Sequence, residues 1–388
     1  MNKYITRLAE IRLKQCLETR KIILLLGARQ VGKTTLFKRI LDPNSTLFLN
    51  LDVNLDRQRL LAASTLAPTE ALTSLGKPQI LVIDEAQKLP EATRIVKGWF
   101  DAELPLKIVL SGSSSLDLLD QSAESLTGRN IKVFLPPLIF SEILMNQSWY
   151  SPVFGLKQLS QFKTQIDSLV LSNLVYGSFP ESVTSADKTQ YLSNLVSDYL
   201  LKDIFHSGLI KIPNLLQKLL ALLAHQSGSL VSVNELANNL NLSRKTVDRY
   251  LDLLERTFII FKLSAFSTNP RKEIAKRQKI FFWDTGVRNA LIGELNFNPL
   301  RSDIGQLWEN WVIAEVAKKN FLEGNLNKLY FWRSRQGSEV DLVIKKPVGS
   351  LSAYEIKWSS TKTTTRKFTN RYQIPVEIIN KDNFITYL

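Results

Sequence analysis

The sequence predicts an α/β chain that begins with a parallel sheet carrying a phosphate-binding loop. Five short apolar runs recur with helical spacers between them: Ile22–Leu26, Leu47–Leu51, Ile80–Ile83, Lys107–Leu110 and Ile131–Leu135. Such runs are typical of parallel strands that helices cover on both faces. The first run leads into a glycine-rich turn, and the third ends in two acidic residues. Together these observations predict a P-loop nucleotide-binding fold for the N-terminal part.

The turn after the first run has the sequence of a phosphate-binding loop. Its residues are Gly27, Ala28, Arg29, Gln30, Val31, Gly32, Lys33, Thr34 and Thr35. The two glycines let successive backbone N–H groups point at a phosphate chain, and the following helix adds its N-terminal dipole. Lys33 is expected to reach the outer phosphates, and the Thr34 hydroxyl to hold Mg²⁺. The loop therefore predicts binding of ATP with Mg²⁺.

The acidic pair Asp84-Glu85 follows the third run. A carboxylate at the end of a parallel strand lies beside the phosphate loop, where Asp84 can hold Mg²⁺ directly or through water. Glu85 is then placed to activate a water molecule as general base. The loop and the acidic pair together favour hydrolysis over binding alone.

The fourth run ends in a serine-rich turn, Ser111–Ser115. Small polar residues at this edge can contact the γ-phosphate or the attacking water, and Ser113 is the preferred residue for that role. The alternative is a helix cap, for which Ser115 is suited.

Composition and charge narrow the function classes. A chain of 388 residues is expected to form about two to four domains. The net charge of +14 favours a polyanionic partner such as DNA or RNA, or an anionic membrane surface, although a solvated basic surface is the alternative. A single cysteine excludes an internal disulfide framework, and two histidines argue against a His-built metal site. No apolar run reaches the ~18 residues of a membrane span, so we expect a cytoplasmic protein.

The middle of the chain is predicted to be helical. We expect a helical lid or connector over residues 148–214 and a winged helix-turn-helix over residues 215–268. Ser232 and Ser243 each precede a helical pattern as N-caps. The second helix carries Arg244, Lys245 and Arg249, where a recognition helix would meet DNA. The alternative is a winged helix that packs against protein, with these residues only solvated. The most basic stretch, 262–288, holds seven Lys or Arg against two acidic residues.

Several motifs resemble those of a bacterial and archaeal group of AAA+-type ATPases that carry a C-terminal domain of unknown function, numbered 4143. The motifs are GARQVGKTTL, VIDEAQ, SGSSS and LTGR, and then YGSFPE, YLLKDI and IGQLWEN. The resemblance implies an AAA+-like P-loop core over residues 1–147. It also implies that Arg129 is an arginine finger or sensor, acting in cis or, in a homo-oligomer, in trans. From the sequence alone, Arg129 is equally a surface residue after a turn glycine.

The C-terminal part, residues 269–388, resembles a PD-(D/E)xK nuclease core. Asp341 lies on a predicted strand, and Glu355-x-Lys357 follows fourteen residues later. By that resemblance, Glu309, Asp341 and Glu355 would hold a second Mg²⁺ or Mn²⁺, and Lys357 would be the catalytic lysine. The rival helix acid is Glu315. The alternative for the Glu-x-Lys strand is a cross-strand ion pair.

Three functions are compatible with these motifs. The first is an ATP-hydrolysing protein that acts on or binds DNA through its C-terminal half. The second is a nucleotide-controlled switch that acts on a protein partner, with an inactive nuclease-like docking domain. The third is an endonuclease whose cutting is gated by ATP.

Overall fold

The computed structural model describes residues 4–112, 126–200, 213–267, 278–362 and 365–388. The chain divides into two compact units, Thr6–Pro136 and Pro137–Leu388, the second of which includes Tyr4 and Ile5. In the described parts of the chain, no helix is long and apolar enough to cross a membrane.

The first unit is a parallel sheet with helices between its strands. Its strands are β1 (Ile22–Leu26), β2 (Thr46–Asn50), β3 (Ile80–Asp84), β4 (Lys107–Gly112) and β5 (Asn130–Phe134). They lie in the order β2-β3-β4-β1-β5, and all neighbouring pairs are parallel. Every residue of β1 is buried, as expected for a central strand covered on both faces. The predicted α/β fold is confirmed, and each predicted strand agrees with the observed one to within one or two residues.

The described helices of this unit connect the strands. They are α1 (Ala9–Leu17), α2 (Lys33–Ile40), α3 (Asn54–Ser64), α4 (Pro68–Ser74) and α5 (Ala92–Asp101), with a 3₁₀ turn at Ala86–Lys88. Because the strands are parallel, the carboxyl ends of β1, β3 and β4 meet at one edge of the sheet.

Helix α6 (Phe140–Met145) packs within the second compact unit, whereas the prediction places the ATPase core at residues 1–147. The reason is local packing. The Phe140 ring contacts Trp311 and Phe384, each at a centroid distance of 5.5 Å, and the Phe140 N–H donates to the Glu315 carboxylate at 2.6 Å.

The helical part of the second unit includes two capped helices in the region where a helix-turn-helix is predicted. Its helices are α7 (Leu156–Ser160), α8 (Lys163–Tyr176), α9 (Pro180–Thr184), α10 (Lys188–Asn194), α11 (Pro213–His225), α12 (Val233–Leu240), α13 (Arg244–Arg256) and α14 (Thr285–Leu291). The Ser232 hydroxyl caps α12 and the Ser243 hydroxyl caps α13, as predicted. Asn241 makes the turn between them in a left-handed conformation, with a φ of 52°. Behind α13, β6 (Ile260–Ala265) pairs antiparallel with β7 (Lys279–Phe282).

A six-stranded sheet and a long helix complete the second unit. After helix α15 (Ile304–Leu322) come β8 (Lys328–Arg333), β9 (Glu339–Lys345), β10 (Leu351–Ile356), helix α16 (Arg366–Tyr372) and β11 (Val376–Ile379). The strand order is β11-β10-β9-β8-β6-β7. β9 is antiparallel to both of its neighbours, β8 and β10, whereas β11 is parallel to β10. As a result, the ends of β6, β8 and β10 and the starts of β7 and β9 lie at one edge.

Arg7 fixes the backbone of the first unit at two points distant in sequence. Its guanidinium donates to the carbonyl oxygen of Val31 at 2.8 Å and to that of Pro136 at 2.7 Å. The side chain is only 4% exposed. Buried carbonyl groups need donors, so Arg7 connects the phosphate loop to the segment that follows β5.

We predict that Arg7→Ala destabilises the first unit by about 3 kcal/mol, since two buried carbonyls each lose a donor. Hydrogen exchange followed by mass spectrometry on peptides from β1 and β5 measures this unit within the whole chain. Arg20→Ala is the matched control. The Arg20 ion pair with Glu103 is largely exposed and is expected to contribute less than about 1 kcal/mol. Equal protection of β1 in the two variants would contradict the role given to Arg7.

Candidate functional site: the phosphate loop and the acidic edge

The phosphate loop has the backbone that its sequence predicts. Gly32 takes a φ of 94°, which residues other than glycine rarely adopt, and α2 begins at the next residue. A Cβ on Gly27 would lie 2.2 Å from the carbonyl oxygen of Leu135, so no larger residue fits there. The Lys33 ammonium donates to the carbonyl oxygens of Gly27 (2.9 Å) and Ala28 (3.0 Å) and lies inside the loop.

Asp84, at the end of β3, contacts residues of α2 and β4 at the edge where the loop lies. Its Oδ2 accepts from the Thr34 hydroxyl at 2.8 Å. Its Oδ1 accepts from the Ser111 hydroxyl and from the Glu85 N–H, the latter at 3.0 Å. Thr34 follows β1, Asp84 ends β3, and Ser111 lies on β4 between them. The structure therefore brings together the predicted residues Lys33, Thr34, Asp84 and Glu85.

Glu85 has the backbone and surroundings of a constrained site residue. Its φ of 52° is left-handed, which is uncommon for a residue with a Cβ. Its carboxylate accepts from the Gln87 amide at 2.5 Å. Burial raises the pKa of Glu85, and the nearby Asp84 charge acts in the same direction, whereas the charges of Lys33 and Arg29 oppose the shift. The raised pKa gives Glu85 more basic strength than an exposed glutamate has.

Sequence reasoning missed two residues at this site and selected one that lies outside the described residues. The missed residues are Arg7 and Ser111. Ser111 belongs to the serine-rich turn that the sequence analysis recognised, but it lies inside β4, paired with Leu25 of β1. Its place directly after the apolar run was the signal that could have identified it. Arg7 belongs to no motif. Ser113, the predicted γ-phosphate sensor, lies among residues 113–125, outside the described residues.

Arg129 lies at the opposite edge of the sheet from the phosphate loop. It precedes β5, and its carbonyl oxygen accepts from the N–H of Ile22, the first residue of β1. The length of β1 separates these two edges, about 15 Å. Its guanidinium pairs with Asp101 at 2.7 Å. Strand direction therefore places Arg129 at the amino ends of the strands, and its role as an arginine finger or sensor, in cis or in trans, stays a prediction.

The predicted second metal site has a lysine among its acids. Glu309 on α15 was predicted to be a ligand together with Asp341 and Glu355, and its carboxylate is bound to the Lys279 ammonium at 2.8 Å. Lys279 also contacts Glu339 at 2.5 Å. Burial raises the pKa of Glu309 to about 7, although the Lys279 charge opposes the shift. In the described residues, no group of three or more His, Cys, Asp or Glu side chains is arranged to hold a metal ion.

The remaining predicted nuclease-like residues lie close together at the same sheet edge. Asp341 accepts from the Ile356 N–H at 2.7 Å, and its Oδ2 lies 3.8 Å from the Lys357 ammonium. The Glu355 carboxylate accepts from the Thr365 hydroxyl in the buried interior. Glu315, the rival helix acid, is buried against Lys318 and the Phe140 N–H, so it serves packing rather than this edge.

An arginine-lined cleft of about 650 Å³ opens beside this edge. Its charged lining residues are Arg333, Arg335 and Arg371, and none of the lining residues that the structure describes is acidic. Trp332, Phe266 and Tyr372 form its apolar wall. Sequence reasoning missed this cleft, because its arginines come from the β8–β9 turn and from α16, which are distant in sequence.

The basic stretch 262–288 does not supply the expected surface charge in its described part. Lys262 is paired with Asp252 and Glu255, and Arg288 is buried and paired with Asp303. Lys279 is buried among the acids described above. The other four basic residues of the stretch lie outside the described residues.

Comparison with known proteins gives three matched regions. Residues 19–144 match an AAA domain, residues 169–298 match a domain of unknown function, DUF8612, and residues 304–383 match a domain of unknown function, DUF4143. Among solved structures, a Walker-type ATPase of Pyrococcus abyssi has a TM-score of 0.48 at 16% sequence identity, covering 73% of this chain and 94% of that one.

Curated relatives occur in both bacteria and archaea. An uncharacterized protein of Mycobacterium tuberculosis is 29% identical over 372 residues, covering 92% of this chain and 75% of that relative. Another, from Methanocaldococcus jannaschii, is 25% identical over 385 residues, covering 95% of this chain and 82% of the relative. The AAA domain and the 4143 domain occur here in one chain, and the phosphate loop and acidic edge are assembled in the first of them. The chain therefore contains a region that matches an AAA domain and a later region that matches DUF4143, and it is similar to proteins of both bacteria and archaea.

Proposed function

We propose that this protein is a Mg²⁺-dependent ATP hydrolase whose C-terminal unit binds DNA, so that nucleotide turnover responds to DNA. The observation that carries the catalytic half is the contact between the Thr34 hydroxyl and the Asp84 carboxylate, with Lys33 and Glu85 beside it. The DNA half of the proposal has separate support, from the arginine-lined cleft and the net charge of +14.

The donor set at the loop suits magnesium. A threonine hydroxyl and a carboxylate are the hard oxygen ligands that Mg²⁺ prefers. The two oxygens lie 2.8 Å apart, close enough to bind the same ion. When bound there, magnesium would offset the charge of the nucleotide phosphates. Lys33 would contact the outer phosphates, and the loop N–H groups from Gly27 to Thr35 would surround the phosphate chain. Glu85 would take the proton of the attacking water.

We predict that two substitutions separate binding from hydrolysis. Lys33→Ala should weaken ATP binding and abolish turnover, because a buried phosphate contact is lost. Glu85→Gln should retain ATP binding and lower kcat by about a hundredfold or more, because an amide cannot accept the proton. Equilibrium binding of a fluorescent ATP analogue and release of inorganic phosphate measure the two steps. Unchanged hydrolysis in Lys33→Ala would show that the site is assigned wrongly.

The C-terminal unit offers a surface that fits a phosphate backbone. Arg335 and Arg371 line the cleft with no acidic partner within ion-pair distance among the described residues. Guanidinium groups bind phosphate through paired N–H donors, which makes arginine a frequent contact to DNA. The order helix α15, antiparallel β8-β9-β10, helix α16 and parallel β11 also supports the resemblance to nuclease-like domains.

A second candidate function is a nucleotide-controlled switch that acts on a protein. The observation that favours it is the mixed charge of helix α13, the predicted recognition helix. Arg244 lies 3.9 Å from Asp248, and Asp252 and Glu255 on the same helix bind Lys262. Such a surface suits a protein partner better than DNA. Arg129 could serve a neighbouring subunit in a homo-oligomer, since the edge where it lies is remote from its own loop.

We predict that the double variant Arg335→Ala/Arg371→Ala weakens DNA binding and lowers the slope of log K against log salt by about two charges. Fluorescence anisotropy with single-stranded, duplex and branched oligonucleotides measures both quantities. The charge-matched control is Lys345→Ala/Lys346→Ala, at the exposed far end of β9. If both double variants lose affinity equally, the cleft is not the site. If the wild type binds none of these DNA forms, the protein-directed switch is the better account.

A further inference from the structure

Lys279 is a buried lysine at the edge of the second sheet, and the predicted nuclease-like site did not include it. Lys279 begins β7, where its backbone is held by pairing with Leu263 and Leu230. The side chain is 3% exposed. Its ammonium lies 2.8 Å from the Glu309 carboxylate and 2.5 Å from the Glu339 carboxylate, and 5.7 Å from the centre of the Phe331 ring.

The acids around Lys279 come from separate elements that converge at this edge. Glu309 lies on α15, whereas Glu339 and Asp341 lie two residues apart on β9 and so project to one face. Asp341 is 7% exposed and is close enough to Glu309 that the two charges repel. Carboxylates that converge in a poorly solvated place require a cation among them, because water cannot screen their repulsion there.

We infer that the Lys279 ammonium is a built-in cation that occupies the place of a divalent metal in this cluster, so that the native C-terminal unit holds no catalytic metal. A metal bound to Glu309 would need an oxygen at about 2.1 to 2.5 Å. The ammonium already takes that Glu309 carboxylate, and a second cation beside it would be repelled without screening by water. The Lys357 ammonium, 3.8 Å from Asp341, adds a further positive charge at the same edge.

The lysine also connects the acid cluster to the arginine-lined cleft. Glu339 bridges Lys279 on one side and Arg333 on the other, at 2.5 and 3.3 Å. Arg333 lines the cleft. In this arrangement the cluster orients a cleft arginine, and the edge holds a phosphate backbone without cutting it. The inference about metal does not depend on the proposed ATP hydrolysis or on DNA binding, since it concerns the charges of the cluster itself.

The test is divalent cation binding to the nucleotide-free, full-length chain, with Mn²⁺ as the probe and electron paramagnetic resonance of free Mn²⁺ as the readout. The single variant Asp341→Asn should bind Mn²⁺ as the wild type does. Lys279→Met keeps the length of the side chain and removes its charge. This variant should bind one additional Mn²⁺ ion in the acid cluster, with an affinity at least about tenfold higher than that of the wild-type cluster. Adding Asp341→Asn to Lys279→Met should remove that site, and Lys345→Met is the matched control.

Three results would overturn the inference. The first is a stoichiometric Mn²⁺ site in the wild type that Asp341→Asn or Glu309→Gln removes. The second is a Lys279→Met protein with native circular dichroism that gains no Mn²⁺ site. If Lys279→Met does not fold, the comparison of wild type with Asp341→Asn decides the matter. Mn²⁺-dependent cleavage of single-stranded, duplex or branched DNA by the wild type, lost in Asp341→Asn, would contradict it as well.

Discussion

The contact between Thr34 and Asp84 forms because the direction of the strands brings these two residues, distant in sequence, to the same edge of the sheet. β1 and β3 run parallel with β4 between them, so a hydroxyl that follows one strand and a carboxylate that ends another meet at one edge. The same geometry places Ser111 against Asp84 and sends Arg129 to the far edge. Whatever nucleotide chemistry this unit performs must therefore occur at the carboxyl edge, and Arg7 keeps the backbone there in place from outside the motif.

In the second unit, the corresponding constraint is the charge balance at a sheet edge. Glu309, Glu339 and Asp341 converge there, and a lysine from a strand outside the antiparallel β8-β9-β10 set lies among them. The proposed nuclease-like arrangement is therefore compatible with a cluster in which a lysine balances the charge of the acids. The arginine-lined cleft shares Glu339 with this cluster through Arg333, so a single carboxylate connects the charge balance of the cluster to an arginine of the cleft.

The sequence predicted the local features well and the long-range ones poorly. Gly27–Thr35, Asp84 and Glu85 were found because each belongs to a contiguous motif beside an apolar run, and the Ser232 and Ser243 caps because capping is local. Lys279 was counted as surface charge, and the role of Arg129 was left open between its own loop, a neighbouring subunit and a plain surface position. Neither residue could be placed from the sequence, because the partners of Lys279 lie 30 or more positions away and the edge on which Arg129 lies is set by strand order.

The central claim is that nucleotide turnover at the first edge responds to DNA held by the second unit. Steady-state ATP hydrolysis, with and without single-stranded, duplex and branched DNA and with Glu85→Gln as the blank, tests it most directly. We expect at least one DNA form to raise the wild-type rate severalfold, and Arg335→Ala/Arg371→Ala to abolish that increase while the DNA-free rate stays unchanged. A wild-type rate that is indifferent to every DNA form would contradict the account and favour a protein partner.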